Sequence, residues 1–155
     1  MTATQMMGRD VVRSFTEHEH VEVRQGVDRL AELVAAFPTL PVDQRVLPLQ
    51  RVLDWFDHTL RPHMAWEESW LFPQIDDRAR TRWIACLARD DHQQIVAQAD
   101  RLRTHLRVSG IPSSMTTTVT LDLAGLEALI RANLEREERY LLPALADEVE
   151  PWTPA

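Results

Sequence analysis

A histidine and a glutamate stand four positions apart in residues 61–73, RPHMAWEESWLFP. At about 100° per residue, His63 and Glu67 lie on one face of a helix, one turn apart. The same face carries three apolar side chains, Phe56, Leu60 and Leu71. Burying unpaired polar groups on such a face is costly. The pair therefore needs each other, water or a metal ion as a partner.

Four amphipathic segments make up the chain, each with apolar residues at three- and four-residue spacing. They cover about 9–37, 42–75, 81–108 and 119–149. Proline or glycine stands in the first and third connections, where helices are expected to stop. Long helices with short connections predict an all-α, up-down-up-down four-helix bundle. We expect one domain over residues 1–155, with its core at about 9–149.

An internal repeat divides the chain into two similar helical hairpins. A shift of 70 residues aligns the second segment with the fourth, and a shift of 72 aligns the first with the third. Two-fold packing of the hairpins would bring the polar residues of the apolar stripes to one level. These residues are His20, His63, Glu67, His92, Asn133 and Glu137. The fourth segment keeps the glutamate but has Asn133 where the second has His63.

This polar set points to a metal. A single histidine on an apolar face is usually a core residue with satisfied hydrogen bonds, and an exposed His–Glu pair is usually solvated. Six polar residues in phase on four helices are harder to explain in that way. Two carboxylates that converge in a core repel each other unless a cation lies between them. Imidazole and carboxylate ligands without thiolate suit iron, manganese or zinc.

The composition argues against several other classes of protein. Hydrophobic residues make up 45%, charged residues 26%, and the net charge is −7 without a basic run. This charge disfavours binding to nucleic acid or to an anionic membrane. We find no apolar window of about 18 residues and no signal peptide, so we expect a cytoplasmic protein. The single Cys86 excludes an intrachain disulfide and a cysteine-rich metal site.

The motifs resemble those of the haemerythrin-like (HHE cation-binding) domain family. They read E-H-x-x-V-R, P-H-x-x-x-E-E-x-x-L-F-P, D-H-x-x-I and E-E-R-x-L-L-P in chain order. The resemblance extends from about Phe15 to Val149, and the second motif is its most specific part. It implies a four-helix bundle with a non-haem di-iron centre, in which two carboxylates bridge the metals and histidines complete each one.

Carried over by position, the resemblance implies five metal ligands: His20, His63, Glu67, His92 and Glu137. The two glutamates would be the bridges. Asn133 stands at the position of the family's histidine in the fourth helix, and Val96 at that of a second histidine in the third helix. We therefore expect an asymmetric centre. One metal would have two histidines, and the other would be weaker, completed by solvent, or absent.

Three functions are compatible with this pattern. The first is a non-haem iron protein, with one or two iron ions, that binds, senses or detoxifies O2, NO or peroxide; manganese or zinc would also fit the ligands. The second is a metal-dependent oxidase or oxygenase acting on a small organic substrate, which would need a cavity beside the metals. The third is a degenerate, metal-free bundle that acts as a binding partner.

Residues beside the five predicted ligands have other expected roles. Glu68 and Glu138 should lie at helix margins and support the ligands, with Arg131 and Arg139 as partners. Pro62 should kink the second helix beside His63. Three further histidines should not be ligands: His18 and His58 face outward, and His105 is too far along its helix. Trp66 and Trp70 would either pack against a neighbouring helix or line access to the metal.

Overall fold

In a computed structural model, the chain folds into four long helices. The structure describes residues 9–76, 82–107 and 110–145. Helix α1 is Arg9–Ala36, α2 spans 46–76, α3 is Arg82–Leu106 and α4 spans 116–145. Short 3-10 turns at Phe37–Thr39 and Val42–Gln44 connect α1 to α2, and a third at Ser113–Met115 precedes α4. The predicted core end at residue 149 lies outside the described residues.

Two apolar clusters show the direction of each helix. One cluster joins the beginning of α1 and α3 to the end of α2 and α4; it includes Val12, Ile75, Ala85 and Leu145. The other joins the opposite ends and includes Leu30, Leu49, Leu102 and Leu123. Consecutive helices therefore run antiparallel, which confirms the predicted up-down-up-down bundle.

Each interior proline of α2 and α4 follows a wider, π-type turn. These turns are Phe56–Leu60, Glu67–Leu71 and Glu137–Leu141, and each ends two residues before Pro62, Pro73 or Pro143. The residue before each proline donates its N–H to the carbonyl five residues earlier. The added residue relieves the clash that a proline ring makes with the preceding helical turn. The expected disturbance at Pro62 is therefore a π-turn within a continuous helix.

The π-turns also keep the polar stripe in phase. A spacing of four residues advances by about 40° per step in an α-helix, so a run of such steps would leave the core face. A wider turn cancels part of that drift. Glu67, Leu71 and Ile75 follow one another at four-residue spacing and are all fully buried. The same arrangement recurs in α4, where the π-turn begins at Glu137.

The connection before α4 differs from the expected one. Gly110 has φ +85°, in the left-handed region that glycine tolerates, as its place in a helix stop signal predicts. Helix α4 begins at Thr116, about three residues earlier than expected, and its N-cap residue Met115 makes no side-chain cap. Thr116, Thr117 and Thr118 therefore lie in the first turn of α4.

Candidate metal centre

The five predicted ligands lie in one polar layer between the two apolar clusters. One comes from α1, two from α2, one from α3 and one from α4. Their exposed fractions are 1% for His20, 4% for His63, 0% for Glu67, 2% for His92 and 1% for Glu137. The structure therefore brings all five side chains together in the bundle core, although their role as ligands stays a prediction.

Four of these side chains form a compact group. His20, His63, Glu67 and Glu137 each offer one ligand atom, and the four atoms lie within 4.8 Å of one another. Oε1 of Glu67 is 3.4 Å from Nε2 of His63 and 3.5 Å from Nε2 of His20. Oε2 of Glu137 is 3.4 Å from the same His20 nitrogen. Ligand atoms about 2.1 Å from one cation at tetrahedral angles would be about 3.4 Å apart.

The remaining oxygen of each glutamate faces His92. Nε2 of His92 lies 3.4 Å from Oε2 of Glu67 and 3.5 Å from Oε1 of Glu137. Each carboxylate thus presents one oxygen to the His20–His63 side and the other to the His92 side. We call these two sides position 1 and position 2. The geometry is that of two carboxylates able to bridge a pair of cations.

Five of the seven atoms that face the centre are buried without a hydrogen bond. They are Nε2 of His20, Nε2 of His63, Nε2 of His92 and both carboxylate oxygens of Glu67. Buried polar atoms are nearly always hydrogen-bonded, so a set of five without partners needs an explanation. Imidazole nitrogens and carboxylate oxygens are ligands for iron, manganese or zinc. The donor set therefore fits a cation-binding site.

Asn133 faces this centre from α4. It is 5% exposed, and its Nδ2 donates a hydrogen bond to Oε1 of Glu137, the oxygen that also faces His92. An ionised carboxylate only accepts hydrogen bonds, so the amide nitrogen must be the group that points to it. Position 2 therefore has one histidine, and one of its carboxylate oxygens is already engaged. Val96, at the other departure from the family pattern, is half-buried against the larger apolar cluster.

A carboxylate accepts a hydrogen bond from the outer ring nitrogen of each of the three histidines at the centre. Nδ1 of His20 is 3.1 Å from Glu138, Nδ1 of His63 is 2.9 Å from Glu19, and Nδ1 of His92 is 2.9 Å from Glu68. Such bonds fix the ring tautomer and raise the basicity of the inner nitrogen. They leave Nε2 of these three histidines as the atom available to a cation.

Two of these carboxylates were expected, but their partners were not. The sequence assigned Arg131 and Arg139 to Glu68 and Glu138. The structure instead pairs Glu138 with Arg24, while Arg131 contacts Glu127 and Asp28. Arg139 lies over the ring of Tyr140. The expected partners were wrong because the packing of α1 against α4 brings Arg24 to Glu138.

Glu19 was not foreseen as a functional residue. It precedes His20 by one position, just as Asp91 precedes His92, and the repeat therefore contained a usable signal. About 100° of helix rotation separates Glu19 from His20, which lets it reach the histidine of the next helix, His63. Acidic residues beside a histidine are common on helix surfaces. The role of Glu19 becomes clear only from the packing of α1 against α2.

The centre also shifts the pKa values of its own groups. Burial acts to lower the pKa of His20 and His92, but Glu137 and Glu67 outweigh it and raise the values to about 9 and about 10. Burial likewise acts to lower the pKa of His63, and Glu67 raises it overall. Burial acts to raise the pKa of Glu67, but the three histidines lower it to about 2. A cation would take the place of the protons on these rings.

The other singled-out side chains lie outside the centre. His18 and His58 are exposed, as expected. His105 is buried near the end of α3, where its Nε2 is 2.7 Å from Asp122. Trp66 is half-buried and packs against Phe15 with a ring separation of 4.6 Å.

A cleft of about 300 Å³ borders the centre on the outer side of His63. Trp66, Pro62 and Val23 form its apolar wall, while Glu19 and His58 contribute polar groups. The sequence left open whether Trp66 and Trp70 pack against a helix or line access to the metal. Trp66 lines this cleft. That cleft meets the Nδ1 edge of His63, where Glu19 is bound, and the cation-facing Nε2 points into the core.

Comparison with known proteins agrees with the motifs. The family model for the hemerythrin HHE cation binding domain matches residues 12–145. Neither the curated proteins nor the solved structures yielded a match to this chain. No described helix is both long and apolar enough to cross a membrane. Since the matched region covers nearly all of the bundle, the chain belongs to the hemerythrin HHE cation-binding domain family.

Proposed function

We propose that this protein holds non-haem iron in a centre of two unequal positions and uses it to bind, sense or detoxify O2, NO or peroxide. One observation carries the proposal: the inner nitrogens of three histidines and both oxygens of Glu67 are buried and lack hydrogen-bond partners. Together with the two carboxylate oxygens of Glu137, these atoms provide four donors at position 1 and three at position 2.

The chemistry of the donors limits which cations fit the centre. All of them are imidazole nitrogens or carboxylate oxygens, which suit iron and also manganese or zinc. The free thiol of Cys86 is exposed on α3 and is not one of these donors. Iron is preferred because the family resemblance implies it. When bound, iron supplies open coordination positions and reversible one-electron chemistry to a small ligand.

The burial of the donors limits the size of the ligand that can reach the cations. The five donor side chains are between 0% and 4% exposed, so a bulky organic substrate could not reach the cations without opening the bundle. A diatomic molecule or a peroxide needs far less space. The cleft beside His63 does not alter this, because it borders the outer edge of that ring. This burial ranks a carrier, sensor or scavenger above an oxidase or oxygenase.

The proposal is tested by loading the cation-free chain with iron(II) without oxygen and measuring iron per chain at rising free iron concentration. We expect one tight site and a weaker second one. The loaded chain is then exposed separately to O2, NO and hydrogen peroxide, and its near-ultraviolet and visible absorption is recorded. A spectral change with at least one of them is expected, and it should be absent from Glu67→Gln.

Each other outcome contradicts a stated part of the proposal. Two equally tight iron ions would exclude the asymmetry. No binding of iron, manganese or zinc under any loading condition would favour the metal-free bundle. Iron binding without a response to any of the three small ligands would remove the proposed role and return the oxidase or oxygenase reading to first place.

A further inference from the structure

The outer hydrogen bonds follow the internal repeat. Glu138 and Glu68, each one residue after a bridging glutamate, accept from His20 and His92 respectively. Glu19, one residue before the histidine of α1, accepts from His63. By the same rule, the acidic residue before the histidine of α3 should serve position 133 of α4. That acidic residue is Asp91, the fourth carboxylate of the pattern.

Asp91 is instead bound by an arginine. Its Oδ2 lies 2.7 Å from Nε of Arg136, and its Oδ1 lies 2.5 Å from Nη2 of the same guanidinium. The pair is bidentate, which is the strong geometry for an arginine and a carboxylate. Asp91 is only 6% exposed, whereas the side chain of Arg136 is 42% exposed and approaches from the rim of the bundle.

The arginine has no counterpart in the first hairpin. The shift of 70 residues aligns Arg136 with Trp66, a neutral side chain. In that hairpin Glu19 accepts a hydrogen bond from His63. In the second hairpin the histidine is Asn133, whose amide points inward to Glu137. A buried carboxylate that lost its imidazole donor would be left without a partner, and this is strongly unfavourable. Arg136 supplies the missing donors and a positive charge.

We propose that Asn133 and Arg136 act as one unit that sets the strength of position 2: Asn133 replaces the inner ligand, and Arg136 occupies the carboxylate that a histidine there would need. This inference rests on the proposed function, because it concerns the second cation of that centre. It makes Arg136 a positioning residue that acts through Asp91. It also means that a histidine introduced at position 133 would lack a carboxylate for its outer ring nitrogen as long as Arg136 occupies Asp91.

A simpler explanation is that the Asp91–Arg136 pair is an ordinary ion pair unrelated to the centre. Under that explanation, substitutions at positions 133 and 136 act independently, and their effects on cation affinity and on stability add. Under our proposal the two effects depend on each other, because the introduced imidazole and the guanidinium compete for one carboxylate. A double-mutant cycle separates the two explanations.

The cycle compares the unaltered chain with Asn133→His, Arg136→Met and the double variant. Cobalt(II) is the probe, read by its visible absorption and by metal analysis, and the cation-free chains are also unfolded in urea. We expect Asn133→His to bind the second cobalt weakly. The double variant should bind it about 10- to 100-fold more tightly, which is the effect typical of such outer hydrogen bonds.

Urea unfolding of the cation-free chains measures the same competition for Asp91. Arg136→Met alone should lower the urea midpoint, because it leaves Asp91 buried without a partner. Adding Asn133→His should restore part of that loss, since the imidazole can donate to Asp91. The matched control is Arg24→Met, which removes an arginine from Glu138 but leaves His20 as a donor. The urea midpoint should fall less in Arg24→Met than in Arg136→Met.

Additive effects in both arms would overturn the proposal, as would a second cobalt bound equally tightly by Asn133→His and the double variant. Failure of the proposed function looks different. If the unaltered chain binds no cation, the metal-binding role is lost, yet the urea cycle still reports whether Arg136 and a histidine at position 133 compete for Asp91. If the unaltered chain holds two equally tight cations, the claim that this unit weakens position 2 is wrong.

Discussion

Nε2 of His63 lies 3.4 Å from Oε1 of Glu67, one turn further along the same helix. The other oxygen of Glu67 faces the His92 ring of α3, at 3.4 Å. One carboxylate therefore serves both positions of the centre, while the histidines are divided between them. The effects of substituting the histidines should differ accordingly.

We predict that His63→Ala removes the tight cation and that His92→Ala leaves it in place. His63 belongs to the group of four donors that lie within 4.8 Å of one another, and His92 does not. The loss of tight-site affinity in His63→Ala should exceed the roughly 100-fold that an outer partner can cost. Iron(II) titration with metal analysis measures it.

The exposed His58, five residues before His63, provides the control for these substitutions, and His58→Ala should bind iron as the unaltered chain does. Equal losses in His63→Ala and His92→Ala would contradict the division of the centre into a strong and a weak position.

We predict that Glu19→Gln weakens the tight cation without unfolding the bundle. Glutamine can still accept a hydrogen bond from Nδ1 of His63, but it lacks the charge that makes the inner nitrogen more basic. A loss of about 10- to 100-fold in iron(II) affinity is expected, with helix content unchanged by circular dichroism.

Glu22→Gln is the matched control for this experiment, because Glu22 lies three residues further along α1 on the wall of the same cleft. It should leave the affinity unchanged. If both variants lost affinity equally, the general negative charge of the cleft would be responsible, and not the bond to His63.

Much of the fold could be predicted from periodicity and repeat. The apolar stripes of α1, α2 and α3 ended within a few residues of the observed helix ends; in α1 this is because proline after Phe37 opposes a longer helix. The polar layer was placed correctly because a shift of 70 residues made Glu137 the counterpart of Glu67. Such patterns survive in a single sequence because the bundle buries one face of each helix.

The unpredicted features depend on contacts between helices. Glu138 could have faced several arginines, and only the packing of α4 on α1 selects Arg24. The sequence likewise does not show which group donates to Asp91, and only the packing of α4 on α3 selects Arg136. The π-turns had a local signal in the interior prolines. Proline alone does not say whether a helix bends, breaks or widens, because each response relieves the same clash.

Gly26 illustrates another contact that no local pattern revealed. A Cβ atom at this position would lie 2.1 Å from Cε2 of Trp55, so the indole of α2 lies directly against the backbone of α1. We predict that Gly26→Ala destabilises the cation-free chain by about 1–3 kcal/mol through overpacking, measured by urea unfolding. The number of cations bound should not change, because Gly26 lies outside the polar layer.

Gly125→Ala is the control for that substitution. Its Cβ would meet the end of the Gln98 side chain at 3.1 Å, and a flexible side chain can move by a few tenths of an ångström. A change of less than about 1 kcal/mol is expected, since alanine is the better helix former. A similar loss in both variants would mean that helix crowding in general, and not the Trp55 contact, limits these positions.

Protons and a cation compete for the ring nitrogens of the centre, which gives the cation-free and loaded chains different responses to pH. In the cation-free chain, the folded pKa values of His20 and His92 are about 9 and about 10, against an ordinary 6.5. A raised pKa contributes stability that is complete below pH 6.5 and disappears as the pH rises through those values.

Glu67 acts in the opposite sense, since its pKa falls from 4.5 to about 2, and its contribution disappears as the pH falls through that range. The contribution of the centre to cation-free stability should therefore be greatest between pH 4.5 and 6.5. A bound cation requires neutral imidazoles, so its affinity and its stabilising effect should instead increase from about pH 6 to 9.

Thermal unfolding between about pH 4 and 10, with a chelator or with excess zinc(II) as a redox-inert probe, measures both responses. The difference in Tm between loaded and cation-free chains should grow as the pH rises. His58→Ala, which changes an exposed histidine outside the centre, should show the same two curves. A cation-free Tm that rises from pH 6.5 to 9 would mean that the buried rings are neutral without a cation, contrary to the raised pKa values.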